Sequence, residues 1–213
     1  MSKIQEIGAA IESGKGKNVQ DLIGAAIGGG LKPMEVLQGM IDTMGAVGEK
    51  FKDGQIYVPE MLVAARAMKK GLETLKPHLV GETGATIGKF IIGTVAGDLH
   101  DIGKNLVAMM VESQGFEVID LGVDVKAEKF IEAIKANPDC KVLGISALLT
   151  TTMPAVKETL NAFVAAGVRN QVKVMVGGAP VTQGFVDSVG ADGYAADAAT
   201  AASKAKELNK RLN

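Results

Sequence analysis

The chain has 213 residues with 23 basic and 24 acidic side chains, a formal net charge of −1, and so no basic excess to draw nucleic acid or an anionic membrane surface. It is 47% hydrophobic but only 4% aromatic and has no Trp, the composition of an ordinary soluble protein without platforms for stacking bases. Its apolar runs are too short to span a bilayer, it opens without a secretory pattern, and its one cysteine, Cys140, excludes an internal disulfide framework. A cytoplasmic protein without nucleic-acid or membrane partners is expected.

The first segment places Ile4, Ile7 and Ile11 on one helical face and ends at Gly14 and Gly16. Asn18 is placed to cap a second helix carrying Val19, Leu22, Ile23, Ala26 and Ile27, closed by the glycines at 28–30. Pro33, at a first-turn position, opens a longer helix with Leu37, Met40, Ile41, Met44, Val47 and Phe51 at three-to-four spacing. After the polar turn at 52–55, Pro59 opens a fourth helix with Leu62, Ala65, Met68 (or Met61), Leu72 and Leu75, and Pro77 stops it. Four helices on short loops predict a small helical bundle over residues 1–82.

Residues 81–86 are polar and glycine-rich, a linker composition, and the pattern changes after them. Over residues 88–213, β-type apolar runs at 90–96, 117–121, 142–146, 172–176 and, weakly, 193–195 alternate with helical stretches starting near Ile102, Lys126, Met153, Val181 and Asp197. Such alternation predicts an α/β domain: a five-stranded parallel sheet, covered by helices, in the flavodoxin-like (Rossmann-type) order 2-1-3-4-5. Ligands of such sheets sit at the carboxyl ends of the strands beside the topological switch, here after strands one and three.

The loop after the first strand reads Gly97-Asp98-Leu99-His100-Asp101-Ile102-Gly103-Lys104. His100 can offer one ring nitrogen to a metal while the other donates to Asp98, which would fix its tautomer and raise its basicity. Gly103 would let the next helix start close beneath a bulky ligand. On spacing alone Asp-x-His is a weak signal, and a histidine bonded within its loop beside a helix-capping aspartate is the simpler reading. After strand three, residues 144–152 are rich in hydroxyls, Ser146, Thr150 and Thr152 among them; after strand four, Gly177 and Gly178 let a long ligand pass close to the backbone. Each has an ordinary reading as a turn or cap, but together they suit an extended polar cofactor tail.

Asp98-Leu99-His100-Asp101-Ile102-Gly103, then Ser146-Ala147-Leu148, then Gly177-Gly178 resemble the Asp-x-His-x-x-Gly, Ser-x-Leu and Gly-Gly signature of cobalamin-binding domains. Their order and spacing are similar to those of methionine synthase and of the corrinoid proteins of three-component methyltransferase systems. Phe51 and the stretch Val58-Pro59-Glu60-Met61-Leu62 resemble the helical cap of the same group, so the likeness runs over nearly the whole chain. The resemblance implies a cobalamin or related corrinoid cofactor, bound base-off, with His100 as the lower ligand of cobalt and Asp98 hydrogen-bonded to it. Thr152 matches a position where methionine synthase has a serine closing a histidine–carboxylate–hydroxyl relay, so Asp98 and Thr152 are implied to move protons. Asp101, Ile102 and Gly103, with Ser146, Leu148, Thr150, Gly177 and Gly178, would line the cofactor and the pocket of its tail. Phe51 and Val58, with Met61 beside them, would shield the upper face.

The implied function is that of a methyl carrier, not a self-sufficient enzyme: cobalt alternating between methyl-Co(III) and Co(I) between a substrate:corrinoid methyltransferase and a corrinoid:acceptor methyltransferase. A reductive activator of Co(II) is implied as a third partner. An adenosylcobalamin-dependent mutase subunit would carry a similar histidine loop but needs a substrate barrel; a cobalamin-based sensor would want a DNA-reading segment. His78, Cys140 and the glycines at 28–30, which lack a following Lys-Ser or Lys-Thr pair, read as bystanders, and the charged tail from Lys204 to Arg211 as the solvated face of the last helix.

Overall fold

The computed structural model describes residues 1–79 and 86–210. It divides into two compact units, Met1–Ile87 with Glu112–Gly115, and Gly88–Val111 with Phe116–Asn213. The linker read at 81–86 and the boundary after residue 82 fall almost wholly outside the described residues.

The first unit is built on helices α1 (Lys3–Glu12), α2 (Gly16–Gly28), α3 (Pro33–Lys52) and α4 (Val58–Leu75). Ser2 and Gln5 form a capping box on α1: the Gln5 N–H donates to Ser2 Oγ (3.2 Å) and the Ser2 N–H to Gln5 Oε1 (2.8 Å). The α2 start differs from the expectation. Its first residue is Gly16 and Lys15 holds the N-cap without a side-chain bond, so Asn18 lies inside the first turn and caps nothing. Pro33 stands in the first turn of α3 as its missing N–H allows, and α4 begins with the Tyr57 N–H donating to the Glu60 carboxylate at 3.0 Å. Ile7, Ile11, Val19, Ile23, Met40, Met44, Met68 and Leu75 are fully buried where these helices meet. On α4 the buried stripe runs through Met61, Ala64, Ala65, Met68, Gly71 and Leu75, leaving Leu62 and Leu72 half-buried at its margin.

The second unit is the expected parallel sheet. Strands β1 (Gly88–Thr94), β2 (Phe116–Asp120), β3 (Val142–Ser146), β4 (Lys173–Gly177) and β5 (Gly193–Ala195) pair in the order β2-β1-β3-β4-β5. They alternate with α5 (Ile102–Ser113), α6 (Ala127–Ala136), α7 (Met153–Ala165), α8 (Gln183–Val189) and α9 (Ala198–Lys210). The inner strands are apolar on both faces, as a doubly covered sheet demands, and Phe130 of α6 meets Phe163 of α7 edge to face at 6.2 Å over β3 and its neighbours. Each such fully buried side chain stabilises the fold by about 1.5–3 kcal/mol over its exposed state. The chain turns one way from β1 to β2 and returns past β1 to β3, so the switch point lies between β1 and β3.

Candidate cofactor site at the carboxyl end of the sheet

Strand register brings the functional loops to one level. Thr94 pairs with Ser146, Ser146 with Gly177, and Gly177 with Ala195, so β1, β3, β4 and β5 end together. The histidine loop leaves β1 at the switch. Its centre is Asp98, which is 0% exposed and accepts on both oxygens. Oδ1 takes the His100 backbone N–H at 3.1 Å and His100 Nδ1 at 2.7 Å. Oδ2 takes the Leu148 N–H at 2.7 Å, the Leu149 N–H at 3.3 Å and Thr152 Oγ1 at 3.0 Å. Burial alone would push this carboxyl up. The donors from Leu148, His100 and Thr152 outweigh that and hold it well below the usual carboxylate range.

An ionised Asp98 can only accept, so Nδ1 of His100 carries a proton, and in the neutral imidazole Nε2 then keeps its lone pair for another partner. The His100 side chain is 50% exposed. From below, Thr94 Oγ1, itself fully buried, donates to the His100 carbonyl at 2.9 Å. Around the imidazole, apolar side chains face solvent: Leu99 and Ile102 are 72% and 79% exposed, Leu148 and Leu149 39% and 40%. Exposed apolar groups of this size are a feature of ligand and partner surfaces.

The structure also shows what the glycines do. At Gly103, in the first turn of α5, an added Cβ would meet nothing of this chain within 4 Å. At Gly178 (φ +133°) a Cβ would lie 1.8 Å from the Ala147 carbonyl oxygen, so the chain's own close approach explains that glycine before any ligand does. Gly177 lies where a Cβ would sit 3.2 Å from the Ala195 carbonyl.

Of the sequence-derived site residues, Asp98, His100, Asp101, Ile102, Gly103, Ser146, Leu148, Thr150, Thr152, Gly177 and Gly178 all lie on these neighbouring strand ends and the loops and helix starts that follow them. Phe51, Val58 and Met61 belong to the helical unit. Phe51 is half-buried and Val58 39% exposed, whereas Met61, at 1%, is as closed to solvent as the core residues of α4. The sequence reading passed over Thr94, Asp124, Leu99 and Leu149. The two leucines sit inside the motifs already singled out, and exposed leucine beside a histidine was the available signal. Lys104 also escaped notice: it is 3% exposed and its ammonium pairs with the Asp120 carboxylate and, at 2.7 Å, with Asn105 Oδ1.

Among the described residues no cluster of three or more His, Cys, Asp or Glu side chains could hold a metal ion, and no helix is long and apolar enough to cross a membrane. One histidine is a poor cage for a bare ion but a sufficient axial ligand for a metal that arrives inside a macrocycle. The half-exposed imidazole, the apolar rim and the empty space at Gly103 fit a flat, bulky metal chelate.

Fold and site thus define a doubly wound α/β protein with a candidate cofactor site at its switch point. Two family models, each described as a B12 binding domain, match residues 3–76 and 88–203. The dimethylamine corrinoid protein of Methanosarcina barkeri is 44% identical over 208 residues, 96% of both chains. Trimethylamine corrinoid protein 2 of Methanosarcina acetivorans is 44% identical over 195 residues, 90% of this chain and 89% of its own length. The solved methanol:cobalamin methyltransferase complex MtaBC of Methanosarcina barkeri superimposes with a TM-score of 0.85 at 33% identity, over 98% of this chain and 80% of that one. The chain belongs to the B12-binding corrinoid proteins, the methyl carriers of methyltransferase systems, and its cofactor is a cobalamin or related corrinoid.

Proposed function

We propose that this chain is the methyl-carrying subunit of a methylamine methyltransferase system and that His100 is the lower axial ligand of its cobalt, the cofactor's own base being displaced. The observation that carries the ligand assignment is the geometry of His100: Nδ1 bound at 2.7 Å to a buried carboxylate, with the Nε2 lone pair left over on a half-exposed ring. When bound, the corrinoid cobalt would supply the methyl-transfer chemistry, and the chain would supply its ligand and its surroundings.

The chain's own residues do the rest. Asp98 fixes the tautomer of His100, and Thr152, 3.0 Å from the same carboxylate, extends the hydrogen-bonded line through which a proton can be held near the imidazole. Leu99, Ile102, Leu148 and Leu149 exclude water from the lower face. Ser146, Thr150 and Gly177 supply hydroxyls and open backbone for the displaced tail, with Gly178 set against Ala147 behind them. Asp101 and Gly103 would border the corrin edge, and Phe51 and Val58 of the helical unit are the residues proposed to shield the upper face, Met61 being enclosed in the helical core.

The names of the relatives at 44% identity support a methylamine as methyl donor. The partners are then a methylamine:corrinoid methyltransferase, a second methyltransferase that removes the methyl group, and an activator that re-reduces Co(II). The chain itself turns nothing over without them. Substitution tests the ligand: Co(II)-loaded wild type is expected to show nitrogen ligation by EPR that is lost in His100→Gly. Survival of the nitrogen splitting in that variant would remove His100 from the axial position. Methyl transfer from di- and trimethylamine, and not from methanol, with cognate partner enzymes tests the donor.

A further inference from the structure

The segment after β2 is laced onto the end of β1, where the histidine loop begins. The Leu121 N–H donates to the Ile92 carbonyl (2.8 Å), Thr94 N–H to Gly122 (3.0 Å) and Val125 N–H to Thr94 (2.9 Å), and Val95 and Val125 form an isolated parallel bridge. Within this segment stands Asp124, with φ +51°, the one non-glycine residue at positive φ among those described. Aspartate tolerates that region better than most residues. The consequence is a double grip on one stretch of backbone: the Asp124 N–H donates to the Asp98 carbonyl at 3.0 Å, and Asp124 Oδ1 accepts the Gly97 N–H at 2.7 Å. Gly97 itself sits at φ +81°, a conformation that glycine adopts readily.

Asp124 is exposed and buries nothing, so packing does not account for a disfavoured backbone there. A strained residue without a stability role points toward what it positions. The Asp98 carboxylate is anchored on its Oδ2 side by Leu148 and Thr152, while its backbone is held at the N–H by the Val95 carbonyl (3.1 Å) and at the carbonyl by Asp124; held at both ends, it presents Oδ1 to His100 Nδ1. We infer that Asp124 is a positioning residue for the axial histidine, setting the orientation of His100 through the Gly97–Asp98 backbone. This rests on the reading of His100 as cobalt ligand.

The test uses the full chain and Co(II) cobinamide, a corrinoid without a nucleotide tail, so that histidine ligation dominates the affinity. Asp124→Gly keeps the backbone conformation and its N–H but removes the acceptor for Gly97; Asp124→Asn keeps all three. The glycine variant is expected to bind cobinamide roughly three- to tenfold more weakly and to lose nitrogen splitting in the same proportion, the size of one ordinary hydrogen bond. The asparagine variant should match wild type, and the apo proteins should melt within a few degrees of one another. Wild-type affinity and spectrum in Asp124→Gly would overturn the inference, as would an equal loss in Asp124→Asn or a loss that follows a lowered apo melting temperature. If wild type and His100→Gly bind cobinamide alike, the ligand assignment itself has failed, whatever Asp124 does.

Discussion

At the scale of single residues, one buried carboxylate carries most of the site. Asp98 receives donors from its own loop and from the loop after β3 on both carboxylate oxygens. Asp98→Asn keeps the shape but turns one oxygen into an NH2 group, which must confront either the His100 donors or those of Leu148 and Thr152. The variant should lose about 1–3 kcal/mol of stability, the cost of a buried donor left without an acceptor. Corrinoid affinity or methyl transfer should fall about 10–100-fold, as changes behind a metal ligand commonly do. Denaturant unfolding and equilibrium binding measure the two effects separately; unaltered affinity would make the carboxylate a loop brace alone.

Among the elements, two glycines that look alike in sequence answer to different demands. Gly178 follows β4 and lies against the Ala147 carbonyl, so Gly178→Ala should destabilise the apo protein by about 1–3 kcal/mol from its backbone conformation alone, with the steric clash adding to that. Gly103 sits in the first turn of α5 with open space where a Cβ would go. Gly103→Ala should leave apo stability unchanged or raise it by up to about 1 kcal/mol, because alanine gives up less backbone entropy in a helix. The same change should weaken corrinoid binding, since the methyl group occupies the space proposed for the macrocycle. Thermal melts of both variants, with and without corrinoid, separate the two roles. Equal affinity in Gly103→Ala would mean that the macrocycle does not approach α5.

For the molecule as a whole, acid is the revealing perturbation. Asp192, ahead of β5, accepts from the Val174 N–H (2.8 Å), Lys173 (3.0 Å) and Arg169 (2.8 Å), tying three segments together. Burial raises its carboxyl, but these donors prevail and set it below its ordinary value, as happens for Asp98. Both groups therefore bind protons less readily folded than unfolded. Their stabilisation is fully present above an unfolded pKa of about 3.9 and drains away as pH falls through the folded values. Stability of the apo protein should drop steeply below about pH 4. Asp192→Asn should be less stable near neutrality by on the order of 1–3 kcal/mol and show a shallower acid slope. Urea unfolding between neutral and acid pH tests this; parallel slopes would place the acid sensitivity elsewhere.

The local signals in the chain determined the element order, the parallel sheet and the loop that carries His100, because apolar periodicity and turn residues act between near neighbours. The strand order β2-β1-β3-β4-β5 is the flavodoxin-like one expected for five strands alternating with helices, and the resemblance of three short motifs led to the corrinoid family. Where only weak local preference was at work, the reading slipped: Asn18 looked like a cap but the helix starts at Gly16. What tertiary structure decided is the set of partners distant in sequence. Leu148 and Thr152 lie 50 and 54 residues from Asp98, and Asp124 grips Gly97 across 27. Nor could spacing show that Gly178 answers to Ala147, that Lys104 is buried against Asp120, or that Met61 sits in the helical core. Hydrogen bonds and close contacts depend on where the sheet brings strand ends together, and only the folded chain holds that register.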